Sequence, residues 1–130
     1  MQKTIEKENY LKTLYKLEEK SQLATVTSLA NHFKVSKSTV SNMIKKLMLM
    51  KLVDSGPYKP ILLTKSGKKT AIKVITKHRL IELYLYEKMQ FELDEVHEIA
   101  EEIEHIKNIK FFKRMQKILG HKNIDPHGTI

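Results

Sequence analysis

The chain has no cysteine and no tryptophan, and its 130 residues include only four glycines and three prolines. Without thiols, disulfide frameworks and thiolate-bound metals are excluded. With so few breakers, collagen-like and low-complexity architectures fall away and long helices become possible. No apolar run approaches the ~20 residues that a bilayer span requires. The N-terminus MQKTIEKENY lacks the apolar core of a signal peptide, so the expectation is a cytoplasmic protein with no membrane partner. A hydrophobic fraction of 41% with 30% charged residues is that of a helix-rich globular chain. At this length folding buries roughly two-thirds of the unfolded chain's surface, enough for cores without covalent staples.

Carboxylates are also scarce, and the scarcity is local. From Ser21 to Ile81 the only acidic residue is Asp54, while twelve basic residues run from Lys34 to Arg79. From Glu82 to His105 the balance inverts, with nine acidic residues against the single Lys88, and it turns basic again from Lys107. The formal charge of +9 is therefore concentrated where a polyanion would gain most from displacing its condensed counterions. Nucleic acid fits that pattern. A solvated lysine-rich surface is the plainer alternative on charge alone.

Hydrophobic spacing supplies the elements. Tyr10, Leu11, Leu14, Tyr15 and Leu17 recur at helical intervals within 4–20. A short helix over 26–33 follows Thr25 as its cap, and a third begins after Ser36 with Val40, Ile44 and Leu47 facing inward. Two short helices joined by Lys34-Val35-Ser36 read as a helix-turn-helix. Residues 52–55 and 61–63, separated by Gly56-Pro57-Tyr58-Lys59-Pro60, read as two brief strands forming a wing. Thr64 then caps a long helix reaching about Met89, with Gly67 in its first turn, where helicity suffers least. Residues 91–94 form a connector, 95–106 another helix, and Asn108 caps a last one that Gly120 ends, before an extended tail from His121 to Ile130. The expected fold class is mainly α: a winged helix-turn-helix domain over 1–70 and an all-helical domain over 71–130.

In a helix-turn-helix the second helix enters the major groove with its N-terminal residues toward base edges. Here those residues are Ser36, Lys37, Ser38, Thr39, Ser41 and Asn42, followed by Lys45 and Lys46. The hydroxyls and amide suit base edges and the lysines suit phosphates. Tyr58 and Lys59 on the wing are placed for the backbone or the neighbouring minor groove.

The second half carries a different chemistry. On a helix over 95–106, His97, Glu101, Glu104 and His105 adjoin the apolar stripe of Val96, Ile99, Ala100, Ile103 and Ile106, while Glu98 and Glu102 face solvent. On the preceding helix His78 and Glu82, four apart, fall within the stripe of Ala71, Val74, Ile75, Ile81, Leu85 and Met89. A charge there is costly unless paired or ligated. Imidazoles with carboxylates and no thiolate suit manganese or ferrous iron. A satisfied core histidine is the plainer reading of either histidine taken singly. Asp94-x-x-His97 and Glu102-x-x-His105 echo the pairs of di-iron bundles, but both lie within twelve residues of one helix and cannot face each other in one chain. No phosphate loop or nucleophile motif accompanies them, so no enzymatic activity and no small-molecule substrate are expected.

Over nearly its whole length the chain resembles the DtxR/MntR family, the diphtheria toxin repressor and manganese transport regulators. The matching stretches are 9–19, 35–41, 62–67, 77–82, 95–98, Glu104-His105 and Asp125-Pro126-His127-Gly128. The resemblance implies a homodimeric winged-helix repressor of metal-uptake genes, whose helical domain binds metal and dimerises and which grips a pseudo-palindromic double-stranded operator when metal is plentiful. It implies one metal site from Asn9, Glu101, Glu104 and His105, and another from His78, Glu82 and His97. It also implies that metal joins the first helix to the 95–106 helix, fixing the separation of the two recognition helices. Family members of the iron type have Cys where this chain has Glu101, which points to Mn(II) ahead of Fe(II), with other divalent metals in vitro. Manganese members have Asp at the position of Asn9 and Glu at that of Lys12, so the first site is expected to be weaker or differently assembled. The chain also stops where longer members continue into an SH3-like domain; His121 and His127 are then possible extra ligands, with solvent exposure the plainer reading. Dimerisation is consistent with the apolar excess of Leu80, Leu83, Tyr84 and Tyr86, which could equally complete the intrachain core. The rival readings are a metal-independent winged-helix regulator with a degenerate site, and a di-iron enzyme.

Overall fold

The computed structural model describes residues 2–57 and 59–120, the side chains of 2–4 excepted. Tyr58 and the tail over 121–130, with His121 and His127, lie outside the described residues. The chain divides into two compact units, with the boundary between Ala71 and Ile72.

The first unit opens with α1 (Gln2–Glu19), whose Tyr10, Leu11, Leu14 and Tyr15 are buried. Thr25 and Ser28 cap α2 (Val26–Phe33) reciprocally: Ser28 N–H donates to Thr25 Oγ1 at 3.0 Å, and Thr25 N–H to Ser28 Oγ at 2.9 Å. Lys34, in the left-handed region at φ 57°, ends that helix and turns the chain into α3 (Lys37–Leu49). Val40, Met43, Ile44 and Leu47 of α3 are buried together with Leu29 and Ala30 of α2, and Tyr10 of α1 stacks on Phe33 with ring centroids 4.4 Å apart. The helix-turn-helix is thus packed on α1.

The wing strands are shorter than the sequence implies: β1 (Val53–Asp54) pairs antiparallel with β2 (Leu62–Leu63), Val53 opposite Leu63. Leu52 is spent elsewhere, its N–H on the Leu47 carbonyl and its carbonyl on Thr64 N–H. Ile61 bridges instead to Ala24. The wing is pinned from α1, where Glu18 Oε2 accepts the Leu63 N–H at 2.8 Å.

Thr64 caps α4 (Lys65–Lys88) as expected, its hydroxyl accepting the Gly67 N–H at 3.0 Å and donating to the Lys51 carbonyl at 2.7 Å. Gly67 does more than tolerate its place: a Cβ there would lie 2.0 Å from the Leu52 carbonyl oxygen.

The second unit continues α4 and adds α5 (Leu93–Ile103) and α6 (Ile109–Leu119). Its core gathers Leu80, Ile81, Leu83 and Leu85 with Val96, Ala100, Phe112, Met115 and Leu119, and Tyr84 packs against it. Most of the apolar excess on α4 therefore completes the intrachain core, and Tyr86 alone of the four named residues is exposed. The expected 95–106 helix is displaced. It starts two residues earlier, where the Glu92 N–H donates to Glu95 Oε1 at 2.9 Å, and it stops at Ile103, so that Glu104 and His105 lie in a turn. Lys77 holds that turn through a 3.2 Å hydrogen bond to the Ile106 carbonyl, with its ammonium 5.0 Å from the centre of the Phe112 ring. Ile106 and Met89, placed in apolar stripes by periodicity, are exposed because both lie past the ends of their helices. No helix among the described residues is long and apolar enough to cross a membrane.

Candidate metal centre and DNA-reading face

In the first unit the buried stripe of α3 turns its other side to solvent. Lys37, Ser38, Thr39, Asn42, Lys45 and Lys46 are exposed, Ser41 is half-buried, and Lys59 is exposed on the wing. Ser36 is occupied locally: its Oγ accepts the Thr39 N–H at 3.1 Å and shares a hydrogen bond with Thr39 Oγ1 at 2.8 Å. Ser38 Oγ also lies 3.4 Å from Ser36 Oγ, so three of the hydroxyls that the sequence offers to bases have local partners. The amide of Asn42 and the ammonium groups of Lys37, Lys45 and Lys46 are exposed beside them. Asn9, on α1, is half-buried.

In the second unit α4 and α5 bring imidazole and carboxylate groups together. His78 Nε2 lies 3.2 Å from His97 Nδ1 and 3.2 Å from Glu82 Oε2, and His97 Nδ1 lies 3.4 Å from the same carboxylate oxygen. His78 and Glu82 are buried and His97 is exposed, so the cluster opens on one side. On its outer edge Glu101 Oε1 meets His97 Nε2 at 2.9 Å. On the inner side His78 Nδ1 is 2.5 Å from Glu104 Oε1, a carboxylate with no solvent exposure, whose Oε2 lies 3.6 Å from His105 Nε2. Of the residues singled out from sequence, His78, Glu82 and His97 form one three-donor group. Glu101 and Glu104 flank it on opposite sides, Glu101 at His97 Nε2 and Glu104 at His78 Nδ1.

The charges are mutually supporting. Burial pushes the His78 imidazolium down, but its hydrogen bonds to Glu104 and Glu82 and the charges of both carboxylates outweigh that and hold its pKa above 6.5. Burial likewise pushes the Glu82 carboxyl up, and the hydrogen bond and charge of His78, the Arg79 guanidinium and His97 reverse it to below 4.5. Arg79 Nη1 donates to Glu82 Oε1 at 2.8 Å, fixing the carboxylate with its other oxygen toward the histidines. The Arg-x-x-Glu spacing at 79 and 82 is an i,i+3 signal legible in the sequence.

The donor set fits a divalent cation. Donors about 3 Å apart are what an ion with bonds of about 2.0–2.2 Å gathers around itself, and the three edges here are 3.2, 3.2 and 3.4 Å. With Nδ1 donating to Glu104, His78 is left with Nε2 as a ligand atom, the outer-shell arrangement common to metal-bound histidines. Two nitrogens and carboxylate oxygens without sulfur favour manganese, ferrous iron or zinc over softer ions.

Fold and side chains together define a winged helix-turn-helix protein with a helical second unit built around an imidazole–carboxylate cluster. Two models of a single protein family match it end to end: residues 3–61 match the N-terminal DNA binding domain of the iron dependent repressors, and residues 64–130 their metal binding and dimerisation domain. The chain belongs to the iron-dependent repressor family. It is 30% identical over 122 residues to the diphtheria toxin repressor of Corynebacterium glutamicum, covering 94% of this chain and 54% of that one. It is 31% identical over 110 residues to an uncharacterised helix-turn-helix transcriptional regulator of Methanocaldococcus jannaschii, covering 84% and 88%. A solved manganese-dependent transcriptional repressor in complex with manganese is 36% identical, with a TM-score of 0.80 over 93% of this chain and 56% of that one. The chain spans about half the length of the diphtheria toxin repressors it matches.

Proposed function

We propose that this protein is a metal-dependent transcriptional repressor, acting as a homodimer on double-stranded operator DNA, in which Mn(II), or else Fe(II), raises the population of the DNA-competent arrangement. The observation that carries this reading is the three-donor triangle of His78, Glu82 and His97 inside a family-defined metal-binding domain. His78, Glu82 and His97 hold one ion, with Glu101 at its edge. Asn9, Glu101, Glu104 and His105 are the proposed ligands of a second, in which neutral Asn9 makes a weaker contribution than a carboxylate would. The ion supplies positive charge and fixed ligand directions; the protein supplies the selection, because cysteine is missing from the donor set. Manganese is favoured by the oxygen-rich ligands and by its presence in the solved relative.

Lys37, Ser38, Asn42, Lys45, Lys46 and Lys59 are the proposed DNA-contacting residues, with Ser36 and Thr39 shaping the helix start and Ser41 and Tyr58 completing the set. Metal acts only through a difference in affinity between DNA-competent and other arrangements, so DNA must tighten metal binding by the same factor that metal tightens DNA binding. Manganese titrations with and without operator test this. Equal tightening factors support it, and metal affinity indifferent to DNA contradicts it. The metal-independent alternative predicts that indifference.

A further inference from the structure

The basic side of α6 has no role in metal binding or in the helix-turn-helix. Lys110, Lys113, Arg114 and Lys117 fall at i, i+3, i+4 and i+7 and line one shallow groove of about 430 Å³ with no other residue type in its wall. All four are exposed, and no described carboxylate reaches any of them. The sequence from Lys107 to Gly120 contains no acidic residue at all. Like charges at these spacings oppose helix formation, so the helix is held by other means: Asn108 caps it, accepting the Phe111 N–H at 3.1 Å, and Phe112, Met115 and Leu119 are buried in the core. Those anchors also fix the basic groove outward.

We propose that this groove binds the phosphate backbone of duplex DNA without regard to sequence, giving the protein a second DNA contact distinct from the recognition helix. A row of uncompensated cations matches a polyanion, and each neutralised phosphate releases counterions. A bilayer would need an apolar face on α6, of which Phe112, Met115 and Leu119 are buried while Ile109, Phe111 and Ile118 stay exposed, and the vesicle arm of the test separates that occupant from DNA. The acidic α5 of another copy, where Glu95 and Glu101 are engaged in the helix cap and at His97 but Asp94, Glu98 and Glu102 are exposed, is the rival occupant that the dimer readout of the test separates from DNA.

The test uses the full chain, a duplex of scrambled sequence and excess chelator, so that metal-dependent operator recognition plays no part. Anisotropy across a salt series is compared for the wild type, K110E/K113E/K117E and the milder K110Q/K113Q/K117Q. Both variants leave the buried stripe intact, and circular dichroism checks that they fold. The glutamine variant is expected to lose about tenfold in affinity, with a log–log salt slope shallower by about 2 to 3, as for three lost phosphate contacts. An unchanged slope in both variants overturns the proposal. So does an unchanged slope accompanied by loss of the dimer, which assigns the groove to a partner copy, or by loss of binding to phosphatidylserine vesicles, which assigns it to a membrane.

Discussion

His78 presents one ring nitrogen to Glu104 and the other to Glu82 and His97, so in the metal-free protein both carboxylates favour its protonated form. Its raised pKa contributes stability that is fully present below 6.5 and is lost as pH climbs through the raised value; the lowered pKa of Glu82 contributes stability present above 4.5 and lost as pH falls through the depressed one. In chelator, therefore, the stability deficit of His78→Gln should be largest between those limits and shrink on going to alkaline pH. Urea unfolding at a series of pH values checks this, and a deficit that grows with pH contradicts it. Metal affinity has the opposite trend, because the ion must displace the His78 proton: manganese binding should strengthen as pH rises and release protons to the buffer. At Gly67 the constraint is steric. Gly67→Ala places a methyl against the Leu52 carbonyl and should cost about 2 kcal/mol in chemical unfolding; a neutral substitution would show that the α4 start can shift away from the wing.

At the scale of elements, capping chemistry made the helix-turn-helix legible. Thr25, Ser36, Thr64 and Asn108 sit at the starts of α2, α3, α4 and α6 as their side chains dictate. The start of α5 was misplaced because Glu92 and Glu95 close it, and no Ser, Thr or Asn marks the spot. Its end was misplaced because Glu104 and His105 continue the apolar–polar rhythm while the backbone has already turned, held by Lys77. Long-range pairs such as Glu18 with the Leu63 N–H carry no local signal at all. Glu18→Ala leaves that part-buried N–H without its acceptor and should destabilise the first unit by about 1–3 kcal/mol, while Glu18→Gln, which keeps an acceptor, should cost less. Equal losses in thermal melts would show that the ion pair with Lys68 (3.8 Å), not the wing contact, is what matters.

For the whole molecule, charge segregation told more than net charge. The carboxylate-poor stretch from Ser21 to Ile81 takes in the helix-turn-helix and wing of the DNA-binding domain, and the acidic stretch falls on the helices bearing the cluster. The grouping of His78 and Glu82 with His97 is what the family resemblance implies, whereas i,i+4 spacing alone marks only the His78–Glu82 pair. The placement of Glu104 at the far nitrogen of His78 is not legible there, because it depends on how α5 packs against α4. The measurement that bears most directly on the central claim is anisotropy at fixed salt on an operator duplex selected from a random pool by the manganese-loaded protein, for the wild type and for Glu82→Ala and His97→Ala. Manganese should tighten wild-type binding at least tenfold, chelator should reverse it, and both variants should lose most of the response while keeping their salt-dependent background. Operator binding of equal strength with manganese and with chelator would contradict the account.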